Sequence, residues 1–441
     1  MLPSLHERLA DDPYQGYAYA YPHKTAYRHF PRPIPLRDLW QTEDRDALFL
    51  YVHLPFCEMR CGFCNLFTTT NPADGLVARY LAALETQTAC NAEALGQHRF
   101  ARGAIGGGTP TFLSVAELEQ LFAMLGRHCA LTPGMPLSCE LSPATADPDK
   151  LAVLNAHGIT RASIGVQSFI ESETRTLGRP QKPATVHQAL GRLRDAAFPV
   201  LNIDLIYGAV GQTVASWQES LRAALEYAPE EIFLYPLYVR PLTGLDRIGR
   251  DPSDLRLDLY RAGRDFLLQR GYRQVSMRLF RRIGSDAEDG EGAAYCCQED
   301  GMTGLGAGAR SYTRGVHYCT EYAVGRQGIM EIINDYVVRN AAEHSTAVYG
   351  CTLDGAEQRR RYVIKSLLRA DGLGAASYSE YFGSDYRMDF PELGELEATR
   401  LAILTDGTLT LTAEGFERAD TIGPWLYSTV VADEMQHYQF A

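Results

Sequence analysis

The sequence predicts an α/β fold, a partial (β/α)6 barrel followed by a small C-terminal domain that is helical and winged-helix-like. Two observations carry this prediction. Short apolar runs alternate with helical patterns from about residue 45 to residue 282, a spacing typical of βαβ units with a parallel sheet. A cysteine-rich loop and a glycine-rich loop directly follow the first two runs. Active sites of (β/α) barrels lie at this end of the strands.

The predicted elements follow in order along the chain. Strands are predicted at 47–54, 101–106, 136–142, 161–166, 200–207 and 231–238. Helices are predicted between them at 76–94, 114–128, 148–156, 183–196 and 213–227. Nearer the C-terminus, the pattern predicts an amphipathic helix at 356–370, a hairpin at 404–411 and a helix around 413–421. The hairpin signal is the pair Asp406-Gly407 between alternating residues.

These patterns divide the chain into four predicted segments. Residues 1–44 are rich in Tyr, Pro and Arg without a clear period, which predicts an extension packed over the main domain. Residues 45–282 are expected to form the barrel, and residues 283–350 to connect onward and complete its edge. Residues 351–441 are expected to form the C-terminal domain.

The composition limits the possible partners and the compartment. A net charge of -12 argues against nucleic acid as the main partner. No apolar run approaches the roughly 20 residues that span a bilayer, and the N-terminus lacks a signal-peptide pattern. Apart from a cluster of three and an adjacent pair, the ten cysteines are scattered singly, so we expect a cytoplasmic protein with no membrane partner. We interpret the adjacent Cys296 and Cys297 as two thiols near the barrel mouth.

Three cysteines after the first strand predict an iron–sulfur cluster. Cys57, Cys61 and Cys64 have the spacing C-x3-C-x2-C. A cubane cluster normally takes four thiolates, so three would leave one iron open to bind S-adenosylmethionine (SAM) and cleave it reductively. A zinc site is the alternative, although zinc would normally need a fourth Cys or His nearby. A disulfide is disfavoured in a reduced compartment.

A run of glycines follows the second strand. Gly106, Gly107 and Gly108 precede Thr109 and Pro110. Glycines allow close backbone approach and expose N–H donors, which suits a zwitterionic ligand such as the methionine part of SAM. The alternative is an ordinary tight βα turn. The position of this loop, one unit after the cysteine loop on the same barrel face, favours the binding site.

With these motifs in place, the chain resembles the HemN-like group of the radical SAM superfamily, the group of oxygen-independent coproporphyrinogen III oxidases. The matching segments are 51–64, GGGTPTFLS (106–114), IGVQSF (164–169), NIDLIYG (202–208) and YVIKSL (362–367), together with the terminal hairpin. The resemblance spans most of residues 47–430. It implies a radical-SAM barrel, one [4Fe-4S] cluster and two SAM molecules, with Cys57, Cys61 and Cys64 as the cluster ligands.

The resemblance also assigns residues to the first SAM molecule. Tyr51 and His53 match residues that flank the cluster and this cofactor, and we predict them to be catalytic. Phe63 matches an aromatic residue near an adenine, and Gly107 matches a backbone contact. Glu140, at the end of an apolar strand, matches a carboxylate that meets the cofactor's amino group or ribose.

A second set of residues is implied for the second SAM molecule. Gly108 and Thr109 match contacts from the glycine loop, and Gln167 and Asp204 lie at the ends of two further strands. Arg179 matches a contact in which a guanidinium can pair with a carboxylate.

Several positions depart from the family pattern. Tyr238 stands where a small residue contacts the second cofactor, and Arg310 similarly replaces an apolar contact. We predict both residues to contact a cofactor, and the charge of Arg310 is suited to a different substrate. Decarboxylating members usually have a cysteine two residues after the third ligand, where this chain has Leu66. Haem-chaperone relatives have a His-Asn-x-x-Tyr-Trp motif before the second glycine-rich segment, where this chain has AAYCCQEDGMTGLGAG.

These departures guide the predicted function. We expect a radical SAM enzyme that transfers a methyl or methylene group to an sp2 carbon of a small-molecule metabolite, by methylation or cyclopropanation. The alternatives are a coproporphyrinogen III oxidase-like decarboxylase and a haem-binding or haem-delivery protein. The expected partners are a small-molecule substrate and a flavodoxin or ferredoxin as electron donor.

Overall fold

The computed structural model describes residues 3–285 and 301–438. The strands, in chain order, are β1 (Arg28–Pro35), β2 (Leu48–Leu54), β3 (Phe56–Cys57), β4 (Thr69–Thr70), β5 (Phe100–Gly107), β6 (Leu137–Leu141), β7 (Arg161–Gln167), β8 (Val200–Tyr207), β9 (Glu231–Pro236), β10 (Tyr272–Gln274), β11 (Leu279–Arg282), β12 (Met302–Leu305), β13 (Arg310–Tyr312), β14 (Val316–Cys319), β15 (Thr346–Thr352), β16 (Leu373–Gly374), β17 (Ala402–Thr405) and β18 (Thr408–Leu411).

The helices fill the connections. They are α1 (Leu5–Leu9), α2 (Leu36–Trp40), α3 (Leu76–Leu95), α4 (Val115–His128), α5 (Pro148–Ala156), α6 (Glu171–Thr176), α7 (Pro183–Asp195), α8 (Val214–Leu225), α9 (Gly244–Arg247), α10 (Arg256–Leu268), α11 (Arg326–Tyr336), α12 (Ala341–His344), α13 (Gly355–Leu367), α14 (Ala375–Phe382), α15 (Tyr386–Asp389), α16 (Gly394–Ala398), α17 (Ala413–Glu417), α18 (Ala419–Trp425) and α19 (Thr429–Gln436). No helix in the described part of the chain is long and apolar enough to cross a membrane.

A 13-stranded sheet forms the frame, in the order β1-β15-β14-β13-β12-β2-β5-β6-β7-β8-β9-β11-β10. The six predicted barrel strands are β2 and β5 to β9, and they lie side by side in parallel. Strand β12 adds a seventh parallel strand beside β2. Within the described ranges, the edge strands β1 and β10 do not pair with each other, so the barrel is open. The predicted fold class is confirmed.

Local sequence signals explain where the helices begin. Helix α4 starts after Ser114, which forms a capping box with Glu117. Helix α5 starts at Pro148 after the N-cap Asp147. Strand β9 ends at Pro236, two residues earlier than predicted, because proline has no N–H to continue a ladder.

One face of the parallel strands lines an internal cavity. On β6, Glu140 is exposed although its two neighbours on the strand are buried, and Tyr51 on β2 and Asp204 on β8 are half-buried. The Glu140 carboxylate lies close enough to Tyr51 and to Asp204 for electrostatic interaction. Side chains from β2, β6 and β8 therefore face a common space.

The N-terminal segment enters this cavity, in addition to contributing the edge strand β1. The guanidinium of Arg278 lies 3.7 Å from the ring centre of Tyr17. The hydroxyl of Tyr19 accepts a hydrogen bond of 3.1 Å from Arg310. The extension was predicted to pack over the main domain, and in the structure part of it also packs inside the barrel.

The C-terminal domain consists of helices around a three-stranded sheet, in the order β16-β18-β17. The predicted hairpin is present, and Asp406 and Gly407 both have positive φ, at 49° and 78°, as a type I′ turn requires. The boundaries of the four predicted segments stay predictions.

A buried ion pair attaches this domain to the barrel. Arg278, between β10 and β11, donates to Asp420 of α18 at 2.6 Å, and the side chains are 4% and 2% exposed. Removing one partner of a buried pair leaves an uncompensated charge. We expect Arg278→Met to lower the free energy of unfolding by about 3–5 kcal/mol, measured by urea denaturation.

A surface pair provides the control. Arg175→Met breaks an exposed pair with Glu171 and should cost less than about 1 kcal/mol. If the two variants lose equal stability, Arg278 and Asp420 do not form a buried, stabilising ion pair.

Candidate active site

The cysteine loop is held by backbone hydrogen bonds on both sides. Cys57 lies on β3, opposite Thr70 of β4. The Gly62 N–H donates to the Gly178 carbonyl at 3.1 Å, and the Gly62 carbonyl accepts from Leu245 at 2.8 Å. A Cβ at Gly62 would lie 2.8 Å from the Leu177 carbonyl oxygen. Only glycine allows this approach, which fixes the loop at the ends of the strands.

The three thiols lie near one another and are half-buried. The Cys57 sulfur accepts a hydrogen bond from Thr109 at 3.6 Å, and the Cys64 sulfur lies 3.8 Å from the Thr68 hydroxyl. Cys61 lies beside Arg179. Burial raises the pKa of Cys57 to about 12 and that of Cys61 to about 11. Metal binding must therefore release protons from these thiols.

Tyr51 and His53 form a hydrogen-bonded pair beneath this loop. His53 Nε2 lies 2.9 Å from the Phe67 carbonyl, and Nδ1 lies 3.2 Å from the Tyr51 hydroxyl. A carbonyl only accepts, so Nε2 carries the hydrogen and Nδ1 accepts from Tyr51. Burial lowers the pKa of His53 to about 4, so the ring is neutral. Because both ring nitrogens bond within the protein, the structure favours a positioning role, and the predicted catalytic role of the pair stays a prediction.

The glycine loop differs from the expectation that it presents free N–H donors. The Gly107 N–H donates to Glu140 at 3.1 Å. The N–H groups of Gly108 and Thr109 donate at 2.7 and 2.8 Å to the carbonyls of Leu54 and Phe56. These donors are used to hold the loop against the strand and cysteine loop beside it. Contacts of Gly107, Gly108 and Thr109 with a cofactor stay predictions, and they would have to involve other atoms.

Glu140 packs tightly against this loop. A Cβ at Gly106 would lie 2.7 Å from the Glu140 carboxyl carbon, so the glycine makes room for the carboxylate. Glu140 is accessible from the cavity but removed from bulk water, and burial raises its pKa from 4.5 to about 7. The protein offers this carboxylate few groups that stabilise its negative charge. It is therefore suited to bind a cationic group of a ligand.

This shift predicts how stability depends on pH. The pKa of Glu140 is higher in the folded chain than in the unfolded chain, so folding favours the protonated form. Stability is lost as pH rises from about 4.5 to about 7, and Glu140→Gln should not show this loss. We expect the difference in melting temperature, Gln variant minus unsubstituted protein, to become more positive as the pH rises from 5 to 8. A difference independent of pH would contradict the assignment.

A second polar group lies across the cavity. Gln167 has a positive φ of 69°, at a bulge where the register with β8 shifts, and such a conformation is uncommon for a residue other than glycine. A Cβ at Gly165 would lie 2.7 Å from Gln167 Nε2 and 3.4 Å from Arg179 Nη1. Asp204 is paired with Gly165 across the strands and accepts from Asn202 at 2.7 Å. Burial raises the pKa of Asp204 to about 6.

Comparison with known proteins agrees with this geometry. Residues 51–224 match the model of the Radical SAM superfamily. The solved structure of coproporphyrinogen III oxidase (HemN) from Escherichia coli, a radical SAM enzyme, superposes with a TM-score of 0.75 at 25% identity, over 89% of this chain and 92% of that chain. Residues 51–224 therefore form a Radical SAM domain, and the chain is similar to the HemN-like group along most of its length.

Curated relatives of this radical SAM enzyme have two different named roles. The heme chaperone HemW of Bacillus subtilis (strain 168) is 28% identical over 378 residues, 83% of this chain and 95% of that protein. The oxygen-independent coproporphyrinogen III oxidase of Escherichia coli (strain K12) is 27% identical over 391 residues, 83% of this chain and 82% of that protein. The relatives therefore leave the reaction of this chain open.

Radical SAM enzymes use a [4Fe-4S] cluster and SAM, and the residues of this chain fit both. Each thiolate of a cubane cluster binds a different iron, so the ligands need not converge on one point. Among the residues that the structure describes, no three His, Cys, Asp or Glu side chains converge to hold a single ion. The match to the Radical SAM superfamily favours a cluster over the alternative zinc site.

Phe63 lies in an apolar environment, whereas Tyr238 lies among charged side chains. Phe63 packs against a small apolar cluster that includes Leu245. Tyr238 donates its hydroxyl hydrogen to Asp420, and the same oxygen accepts from Arg278 at 3.2 Å. Tyr238 therefore joins the C-terminal domain to the barrel, and its contact with a cofactor stays a prediction. Cys296 and Cys297 lie outside the described residues.

Sequence reasoning missed several groups near the cysteine loop. The Glu58 carboxylate accepts from Ser142 at 2.5 Å, and the Tyr322 hydroxyl donates to the Asn65 carbonyl at 2.6 Å. Tyr19 faces the cavity from the N-terminal segment. The segment has no periodic pattern, so nothing in the sequence indicated which of its many tyrosines would point inward.

Proposed function

We propose that this radical SAM enzyme transfers a methyl or methylene group from a second SAM molecule to an sp2 carbon of a small-molecule metabolite. The observation that carries the proposal is the presence of two separate polar sets on one cavity. Glu140 and Gly107 form the first set. Gln167, Arg179 and Asp204 form the second, and Arg179 also reaches the Cys61 thiol. Two sets beside one cysteine loop support two cofactor molecules.

In this proposal, Cys57, Cys61 and Cys64 hold the cluster. When bound, the cluster supplies one electron for the reductive cleavage of SAM to methionine and a 5'-deoxyadenosyl radical. Glu140 binds the amino group or ribose of the first SAM molecule. The hydrogen bond from Tyr51 to His53 orients the residues beneath the loop, and His53 stays neutral because it is buried.

The second polar set would bind and orient the second SAM molecule. Arg179 offers a planar guanidinium that can pair with its carboxylate. Asp204, a carboxylate removed from bulk water, would accept hydrogen bonds from its amino group or ribose. The cavity excludes bulk water from the reacting carbon, with Phe63 and Tyr51 among the rings around it.

Leu66 supports methyl or methylene transfer over decarboxylation. It occupies the position where decarboxylating members of the group carry a further cysteine, and its side chain is 48% exposed. A decarboxylase remains the second candidate, because several curated relatives are oxygen-independent coproporphyrinogen III oxidases. Haem delivery is the third, because of the relationship to HemW.

Product analysis separates these functions. Reconstituted enzyme would be incubated anaerobically with SAM, a reductant and an extract of small metabolites. Formation of S-adenosylhomocysteine together with 5'-deoxyadenosine supports the proposal. Carbon dioxide from added coproporphyrinogen III without S-adenosylhomocysteine would replace it with the decarboxylase. Stoichiometric haem binding without 5'-deoxyadenosine would replace it with haem delivery.

The proposal extends to the surroundings of the enzyme. An oxygen-sensitive cluster needs a reducing compartment, so we propose that the enzyme acts in the cytoplasm. A flavodoxin or ferredoxin would then reduce the cluster.

A further inference from the structure

Two cations from different parts of the chain meet in the cavity. Arg310, at the start of β13, donates to the Tyr19 hydroxyl at 3.1 Å. Lys24 lies beside the same hydroxyl, with its ammonium 3.6 Å from the ring centre of Tyr322. Both cations are half-buried. The N-terminal segment therefore carries Lys24 to the position of Arg310.

No carboxylate in the described part of the chain balances these charges. The acidic groups that interact most strongly with Arg310 are phenols and a thiol, from Tyr19, Tyr312, Tyr27 and Cys319. Burial raises the pKa of Cys319 to about 12 and that of Tyr27 well above 10, so both are neutral at pH 7. The carboxylate of Glu321, which acts on Cys319, pairs with His29 on the outer surface.

The effect of the two cations is visible on Tyr19. Burial by itself raises the pKa of this phenol, yet the pKa is lowered because Arg310 and Lys24 stabilise the phenolate. Burial also lowers the pKa of Lys24 to about 8. Buried charges need a partner to offset the loss of hydration. The pair is therefore suited to an anion.

The location connects this pair to the reaction. The Tyr322 ring below Lys24 is fixed by its hydrogen bond to Asn65, the residue that follows Cys64. Arg310 also interacts with Tyr51 and His53 beneath the cysteine loop. A molecule held by the pair would thus lie beside the predicted cluster.

We propose that Lys24 and Arg310 bind a carboxylate group of the small-molecule substrate and hold that substrate beside the cysteine loop. The assignment of the anion to a substrate rests on the proposed function, whereas the anion site itself does not. The carboxylate of a SAM molecule has the same chemistry, so the experiment must separate these two sources.

The test uses reconstituted holoenzyme and two matched probes, 4-bromobenzoate and its neutral analogue 4-bromobenzamide. Titration calorimetry should show that the acid binds at least about 10-fold more tightly than the amide. The preference should disappear in Lys24→Met and Arg310→Met and persist in Lys182→Met, which changes an exposed lysine. It should also weaken between pH 7 and pH 9, because Lys24 loses its proton with a pKa of about 8.

The variants also identify the source of the anion. SAM binding, measured by equilibrium dialysis, should keep its stoichiometry in Arg310→Met. If that stoichiometry falls, the anion belongs to SAM and the assignment to a substrate is wrong. Equal binding of acid and amide, or a preference that survives in both Met variants, would overturn the anion site. These measurements need no turnover, so they stay informative if S-adenosylhomocysteine is never formed.

Discussion

Replacing Cys61 with alanine is expected to abolish both the cluster and the formation of 5'-deoxyadenosine. Cys61 contributes one of three thiols in a loop fixed by Gly62 on both sides. With two thiolates left, the loop cannot satisfy the ligand requirement of a cubane. Iron and sulfide content, the visible absorption of the cluster and 5'-deoxyadenosine should all fall to background after anaerobic reconstitution.

A cysteine outside the loop provides the control for this loss. Cys129→Ala removes a half-buried thiol after α4 and should leave the iron content unchanged. Circular dichroism of the unreconstituted variants separates loss of the cluster from loss of the fold. If Cys61→Ala retained iron, sulfide and activity, the assignment of the cluster to this loop would be wrong.

Replacing Asp204 with asparagine is expected to uncouple the two cofactor molecules. Asp204 belongs to the second polar set, and the substitution removes its charge while keeping its shape. A hydrogen bond to a charged group contributes about 1.5–3 kcal/mol, so S-adenosylhomocysteine should fall by about 10- to 100-fold. Cleavage of the first SAM molecule depends on Glu140 and the cysteine loop, so 5'-deoxyadenosine should still form, with its hydrogen taken from buffer or protein instead of the methyl group of a second SAM molecule.

The ratio of the two products is the decisive readout for Asp204. Asp195→Asn, at the exposed end of α7, should leave the ratio unchanged. A parallel fall of both products in Asp204→Asn would place this carboxylate at the first SAM molecule instead. An unchanged ratio would remove it from either site.

The sequence predicted the parallel part of the fold because each βα unit carries its own local signals. Apolar runs define β2 and β5 to β9, and caps such as Ser114 and Asp147 define helix starts. Strand β12 was missed because it is four residues long and contains a glycine. It is specified by its position beside β2, which is a tertiary contact.

The sequence predicted which residues form the site better than it predicted the contacts that these residues make. The cysteine spacing and Glu140 identify the cavity face, because the cysteines come soon after β2 and Glu140 lies at the C-terminal end of β6. The direction of the Gly108 N–H depends on the register between β2 and β5, which no local pattern encodes. Lys24 enters the site through the packing of an aperiodic segment, which only the folded chain shows.

SAM with a deuterated methyl group reveals whether the 5'-deoxyadenosyl radical takes its hydrogen from a second SAM molecule. Reconstituted enzyme would be incubated anaerobically with dithionite, and the products would be read by mass spectrometry. We predict deuterium in 5'-deoxyadenosine, because the hydrogen comes from the methyl group of a second SAM molecule. Unlabelled 5'-deoxyadenosine would show that the hydrogen comes from elsewhere, and it would contradict transfer of a one-carbon unit by this enzyme.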